Sequence, residues 1–136
     1  MIYRTKDVDI VTKATDQYRH EMHGFYPELW LGVDANIALT DGRNVALFEY
    51  ELPGVYSGHY FFLDRGKEAF SVAKEMLKEI FSQSYPVQLI KGYTPLENKG
   101  ALWMSRKLGF TGHGEIFTTA GPCELFILSK KEYMDG

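Results

Sequence analysis

Between residues 58 and 93 the apolar pattern changes period twice, and this change constrains the fold more than anything else in the chain. Gly58-His59-Tyr60-Phe61-Phe62-Leu63 is apolar enough for a central strand. From Lys67 to Gln83 the apolar residues Ala69, Phe70, Ala73, Leu77, Ile80 and Phe81 recur every three or four positions, which predicts an amphipathic helix. Val87 to Tyr93 then returns to strand character. A helix between two strands of one sheet implies a right-handed crossover, and therefore a locally parallel pair.

The flanking pattern is antiparallel. Ile2 to Arg4 reads as a short strand, and Thr5 or Asp7 can cap a following helix. Val8, Val11, Ala14, Tyr18 and Met22 give that helix one apolar stripe to about Met22, with Gly24 ending it. The proline-broken aromatic segment 25–31 predicts a loop packed on the core. Strands at 36–40 and 44–52 flank the hairpin signal Asp41-Gly42-Arg43. In the second, Ala46, Phe48, Tyr50 and Leu52 share one face and Leu47, Glu49 and Glu51 the other. Pro95 is expected to open a short helix from about Leu96 to Leu108, closed by Gly109. Residues 115–119 and 124–129 form a last antiparallel pair. The expected fold class is α/β (α+β): a mixed, mostly antiparallel central sheet with helices on both faces, in one domain over residues 1–136.

Composition excludes some functions. The net charge is -3 with no basic block, so the chain carries no electrostatic footprint for nucleic acid. It has no apolar run of about 18 residues and no signal-like apolar core, which predicts no membrane partner and a cytoplasmic location. Cys123 is the only cysteine and reads as a small core residue, consistent with a reducing compartment.

Two places suit chemistry. At Leu63-Asp64-Arg65-Gly66-Lys67 a strand runs into a helix, leaving backbone N–H groups that suit a phosphate. Gly66 allows close approach, Arg65 and Lys67 add positive charge, and Asp64 reads as the helix cap. The second place is Asn98 to Phe110, a helix with a glycine stop. Glu49, Glu51 and His59 are general-base candidates on strands, where a carboxylate or neutral imidazole can deprotonate an amine. Tyr93 reads as core or as acceptor lining; Tyr26, Trp30 and Trp103 read as core or lid. His20 and His23, three apart, lack further ligands and do not make a metal site.

Asn98-Lys99-Gly100-Ala101, followed by Lys107-Leu108-Gly109-Phe110, resembles the signature of the GNAT superfamily of acyl-CoA-dependent N-acetyltransferases. Arg65-Gly66-Lys67 is similar to the start of that family's acetyl-CoA loop, and Gly112-His113-Gly114-Glu115 to its next turn and strand. The likeness spans roughly residues 58–129. It implies acetyl-CoA as cofactor and an amine as acceptor. Phe62, Leu63, Arg65, Gly66, Lys67 and Ala69 would then lie along the cofactor, Asn98 would touch its arm, and the strands at 58–63 and 87–93 would splay to admit the pantetheine. Glu51, His59 and Ser105 are the implied catalytic candidates.

The chain departs from that pattern at three positions. Glu68 stands where the loop has its first glycine, Phe70 where it has a second small residue, and Ser105 where the family often has a Tyr that protonates the departing thiolate. Two readings of different class follow. One is an N-acyltransferase moving an acetyl group from acetyl-CoA to an amine of a small molecule or protein. The other is a catalytically inactive protein of the same fold that works by contact with a protein partner in an assembly. That second reading draws on a likeness in size and style to phage-encoded proteins of head assembly or the virion, with the host cytoplasm or virion as location. A homodimer is compatible with both.

Overall fold

A computed structural model describes residues 1–21 and 24–136, without the side chains of residues 19–21. The His20–His23 pair and the end of the first apolar stripe at Met22 fall outside the described residues. The chain builds one seven-stranded sheet in the order β1-β2-β3-β4-β5-β7-β6. Its strands are β1 (Tyr3–Arg4), β2 (Ile37–Thr40), β3 (Val45–Leu52), β4 (Val55–Phe61), β5 (Leu89–Pro95), β6 (Thr111–Thr118) and β7 (Gly121–Ser129). Among these strands β4 and β5 are the parallel pair and every other pairing is antiparallel. The parallel step lies across helix α3 (Gly66–Ile80), as the change of period requires.

The alternation of β3 and β4 divides the apolar residues between two layers. On one face Ile37, Leu39, Ala46, Phe48, Tyr56, Ile90, Phe126 and Leu128 pack under Ala69, Ala73, Met76, Leu77 and Ile80 of α3 and Leu102 of α4 (Lys99–Lys107). On the other, Ala38, Val45, Leu47 and Phe61 pack under Val11 and Ala14 of α1 (Val8–Thr15) and Leu31 of α2 (Pro27–Leu31). Helices therefore cover both faces. Asp7 caps α1, its side chain accepting from the N–H groups of Asp9 and Ile10.

Several boundaries differ from the sequence reading. The first helix ends its α-turns at Thr15 and continues as a 3₁₀ segment, Asp16–Glu21. Segment 25–31 contains α2, because Pro27 sits in the first turn, where a missing N–H breaks nothing. β4 begins at Val55, three residues before the expected Gly58. Pro95 closes β5 opposite Cys123 instead of opening α4, whose N-cap is Asn98. A further helix, α5 (Lys130–Asp135), follows β7, started by a capping box between Ser129 and Glu132. Cys123 is buried, as expected. Tyr26 and Trp103 are 64% and 54% exposed, so neither is core, contrary to the core half of their reading.

Candidate functional site

The site forms where the β4–β5 ladder stops. Val55, Tyr56 and Ser57 pair with Leu89, Ile90 and Lys91, and no later pair joins these strands among the described residues. β4 nevertheless continues to Phe61 on β3, and β5 continues to Pro95 on β7. Residues 58–61 of β4 therefore keep partners on one side only, which leaves backbone donors and acceptors facing the gap. At its start the gap is narrow, since a Cβ on Gly92 would lie 3.6 Å from the carbonyl oxygen of Gly58.

One face of β4 beside this gap is polar. A bulge between Tyr50 and Leu52 turns Glu51 toward β4 and β5. There its carboxylate accepts from Ser57 Oγ at 2.5 Å and pairs with Lys91 Nζ at 2.9 Å. Burial works to raise the Glu51 pKa, but the bonds from Ser57 and Lys91, with the nearby charges of Lys91 and His59, outweigh it and hold it below the ordinary carboxylate value. Lys91 is raised in turn, chiefly by its bond to Glu51. Lys91 also lies 5.9 Å from the ring centre of Tyr93. Trp30 Nε1 donates to Glu49 at 2.9 Å. His59 lies in the field of both glutamates; desolvation by its neighbours lowers its pKa, against the pull of Glu49 and Glu51. Its imidazole is thus biased to the neutral form, while Glu51 is held ionised by fixed partners.

The turn from β4 into α3 is held from behind by Asn44, which is fully buried. Its Oδ1 accepts from the N–H groups of Leu63 at 2.8 Å and Asp64 at 3.1 Å, and its Nδ2 donates to Asp41 Oδ2 at 3.1 Å and Asp64 Oδ2 at 2.8 Å. Arg43 adds an ion pair to Asp64 at 3.2 Å. Asp64 is therefore occupied and does not cap α3, correcting that reading; the N-cap residue is Arg65, and no side chain closes the helix start. Arg65 turns back, its guanidinium donating to the Phe62 carbonyl at 2.6 Å and to Gln17 Oε1 at 3.3 Å. Gly66 has φ +62°, which favours glycine, and open space where a side chain would stand. Lys67 and Glu68 are exposed on the first turn. Phe62 and Ala69 are buried in the core.

Phe70 packs on Trp103 with ring centres 5.8 Å apart, and Lys74 lies 5.6 Å over its face. Its bulk is thus directed onto α4. Asn98 caps α4, its Oδ1 accepting from Ala101 N–H at 3.1 Å. Ser105 is half-buried on the same helix. Lys99, Leu102, Trp103, Arg106 and Lys107 line a shallow hollow of about 530 Å³ on the outside of α4. The structure thus gathers Glu49, Glu51 and His59 on one face beside the gap. Asn44, which fixes the loop, was not singled out from sequence, because its partners at 63 and 64 are distant in the chain.

No family model matches the chain, and no curated protein does. Solved structures do. The chain is similar to spermidine N-acetyltransferase SpeG from Vibrio cholerae as its F149A mutant, with TM-score 0.77 at 10% identity over 99% of this chain and 98% of that one. A chimera of the same enzyme with hSSAT, R149–K152, gives TM-score 0.78 at 10% identity over 100% and 98%. The aminoglycoside acetyltransferase AAC(6')-Ib, in complex with coenzyme A and kanamycin, gives TM-score 0.70 at 14% identity over 99% and 97%. At such identities the likeness is one of fold: the chain has the GNAT fold, end to end.

Proposed function

We propose that the chain is an acetyl-CoA-dependent N-acetyltransferase acting on a small cationic amine. The observation that carries this reading is the one-sided edge of β4 after Ser57, lying between an uncapped helix start and a face bearing Glu49, Glu51 and His59. Similar structures hold coenzyme A with an aminoglycoside, or are named for spermidine, both polycationic amines.

The residues present fit the cofactor. Gly66 leaves open space at the start of α3, where unpaired N–H groups and the helix dipole favour a pyrophosphate. Lys67 adds charge there and offsets Glu68. Acetyl-CoA supplies the acyl group as a thioester. Glu49 and Glu51 attract a cationic acceptor, and Trp30 and Tyr93 border it. His59, biased to the neutral form by desolvation from its neighbours, takes the proton that the attacking nitrogen must lose, at its unprotonated ring nitrogen. N–H groups on the open edge of β4 are suited to polarise a carbonyl oxygen. Ser105 is a weak acid for the leaving sulfur.

The alternative, a contact protein without catalysis, rests on Glu68, Phe70 and Ser105. Phe70 packs away onto Trp103, which removes its bulk from the loop. The similar structures lend no support to the phage likeness.

Calorimetric titration with coenzyme A, followed by acetylation assays on spermidine and kanamycin with thiol release as readout, tests the proposal. Micromolar coenzyme A binding with turnover of either amine is expected. Absence of binding at millimolar coenzyme A would overturn it.

A further inference from the structure

Tyr60 is anomalous for a residue on a packed face. Its hydroxyl is buried and finds no hydrogen-bond partner among the described residues. Buried polar groups are nearly always paired, so an orphan of this kind calls for a physical account. A phenylalanine would fill the same space without the penalty of a desolvated hydroxyl.

The position of that hydroxyl is specific. A Cβ on Gly58 would come within 3.0 Å of Tyr60 Oη and 3.1 Å of Ile90 Cγ2. The oxygen therefore lies back along β4, toward β5, at the level where the ladder has just ended. Gly58 has an ordinary backbone conformation, so it is needed here for room and not for φ. The ring is held edge-on by Phe48, at 6.0 Å, and by Phe62, at 6.2 Å. An oriented donor, clamped by aromatics and lacking an acceptor among the described residues, thus sits at the closed inner end of the β4–β5 gap, on the α3/α4 face.

We infer that Tyr60 is a ligand-contacting residue: its hydroxyl donates to an amide carbonyl oxygen in the arm of an acyl-CoA lying in the gap between β4 and β5. This rests on the proposed cofactor. Burial pushes the phenol far above its usual range, so it stays protonated and serves as a donor at every working pH.

The test compares the wild-type chain with Tyr60→Phe, using two probes: coenzyme A, which carries the arm, and adenosine 3′,5′-bisphosphate, which lacks it. Each protein is also melted without ligand. For Tyr60→Phe we expect coenzyme A affinity to fall about 3- to 10-fold, as loss of one neutral hydrogen bond implies. Bisphosphate affinity should be unchanged and the ligand-free melting temperature no lower. Gly58→Ala, which displaces the ring, should reproduce the selective loss for coenzyme A. Equal coenzyme A affinity in wild type and Tyr60→Phe would overturn the inference and leave the cofactor reading intact. A lower melting temperature, or an equal loss for both probes, would make the hydroxyl structural and also overturn it. No coenzyme A binding by the wild-type chain would sink the cofactor reading itself.

Discussion

His59 and Tyr60 are adjacent on one strand, and alternation sends them to opposite faces of the sheet. Both have pKa values moved chiefly by desolvation, the imidazole downward and the phenol upward. Their surroundings differ. On the His59 side Glu51 is tied to Ser57 and Lys91, and Glu49 to Trp30. On the Tyr60 side the neighbours are aromatic or aliphatic and the hydroxyl is unmatched among the described residues. The contrast separates two uses of polarity. Groups with fixed partners build a charged, water-facing surface suited to a cationic substrate. A group with no partner marks the place that a ligand must complete. The first use survives without ligand; the second is a standing penalty unless something binds.

The largest expected effect lies on the polar face. His59→Gln should lower kcat/KM for amine acetylation by about 10²- to 10⁴-fold, the usual loss on removing a general base. Stability should change by less than about 0.5 kcal/mol, because His59 is at an exposed position. The wild-type rate should depend on a neutral imidazole. Since the His59 pKa is lowered, the profile should be flat near pH 7 and fall only below the ordinary histidine value of about 6.5. The same sign governs stability: the contribution is complete above the unfolded value and lost as pH falls through the folded one. A His59→Gln enzyme with undiminished kcat/KM would give the polar face a binding role alone.

Next comes the scaffold that both faces share. Asn44→Ala removes the acceptor for two partly buried N–H groups at the turn into α3 and the donor to Asp41 and Asp64. An unsatisfied buried group costs about 1–3 kcal/mol; water reaches these partly buried groups, which leaves an expected loss of about 1–3 kcal/mol in urea unfolding. Coenzyme A affinity should fall with it, because the same turn presents Gly66 and Lys67. A variant with native stability and weakened binding would show that Asn44 orients the loop without supporting the fold.

The parts of this arrangement differ in how far sequence reveals them. The period change from 58 to 93 exposed α3 and the parallel step, because amphipathic periodicity is written locally. The helix closed by Gly109 was legible for the same reason, but its start was misplaced at Pro95, since the chain enters it only at the Asn98 cap. Helix α2 was missed because Pro27 was read as a break, although proline suits a first turn. Helix α5 was missed although Ser129 and Glu132 have capping-box spacing. Glu51 and His59 were recognisable as chemistry-bearing types, but the bulge that brings Glu51 to Lys91 was not. Tyr60 looked like one more aromatic in an apolar strand, since an unmatched hydroxyl is a property of its surroundings. Asn44 was silent for the converse reason: all its value lies in partners brought near by folding.

The smallest expected effect probes how far the polar face is self-sufficient. Glu51→Gln keeps the shape and an acceptor for Ser57 but removes the charge opposite Lys91. The pair is partly solvent-exposed, so the loss should be about 1 kcal/mol at pH 7. The folded pKa of Glu51 lies below its unfolded value, so its stabilisation is present above the ordinary glutamate range near 4.3 and lost as pH falls through the folded value. Wild type and Glu51→Gln should therefore differ in urea midpoint at neutral pH and converge in acid. Removing a negative charge beside His59 should also deepen the lowering of its pKa, moving the acid limb of the rate profile to lower pH. An unmoved limb would mean that Lys91 already neutralises Glu51 as seen from the imidazole. Glu49 would then be the carboxylate that His59 senses, and the one left to attract a cationic acceptor.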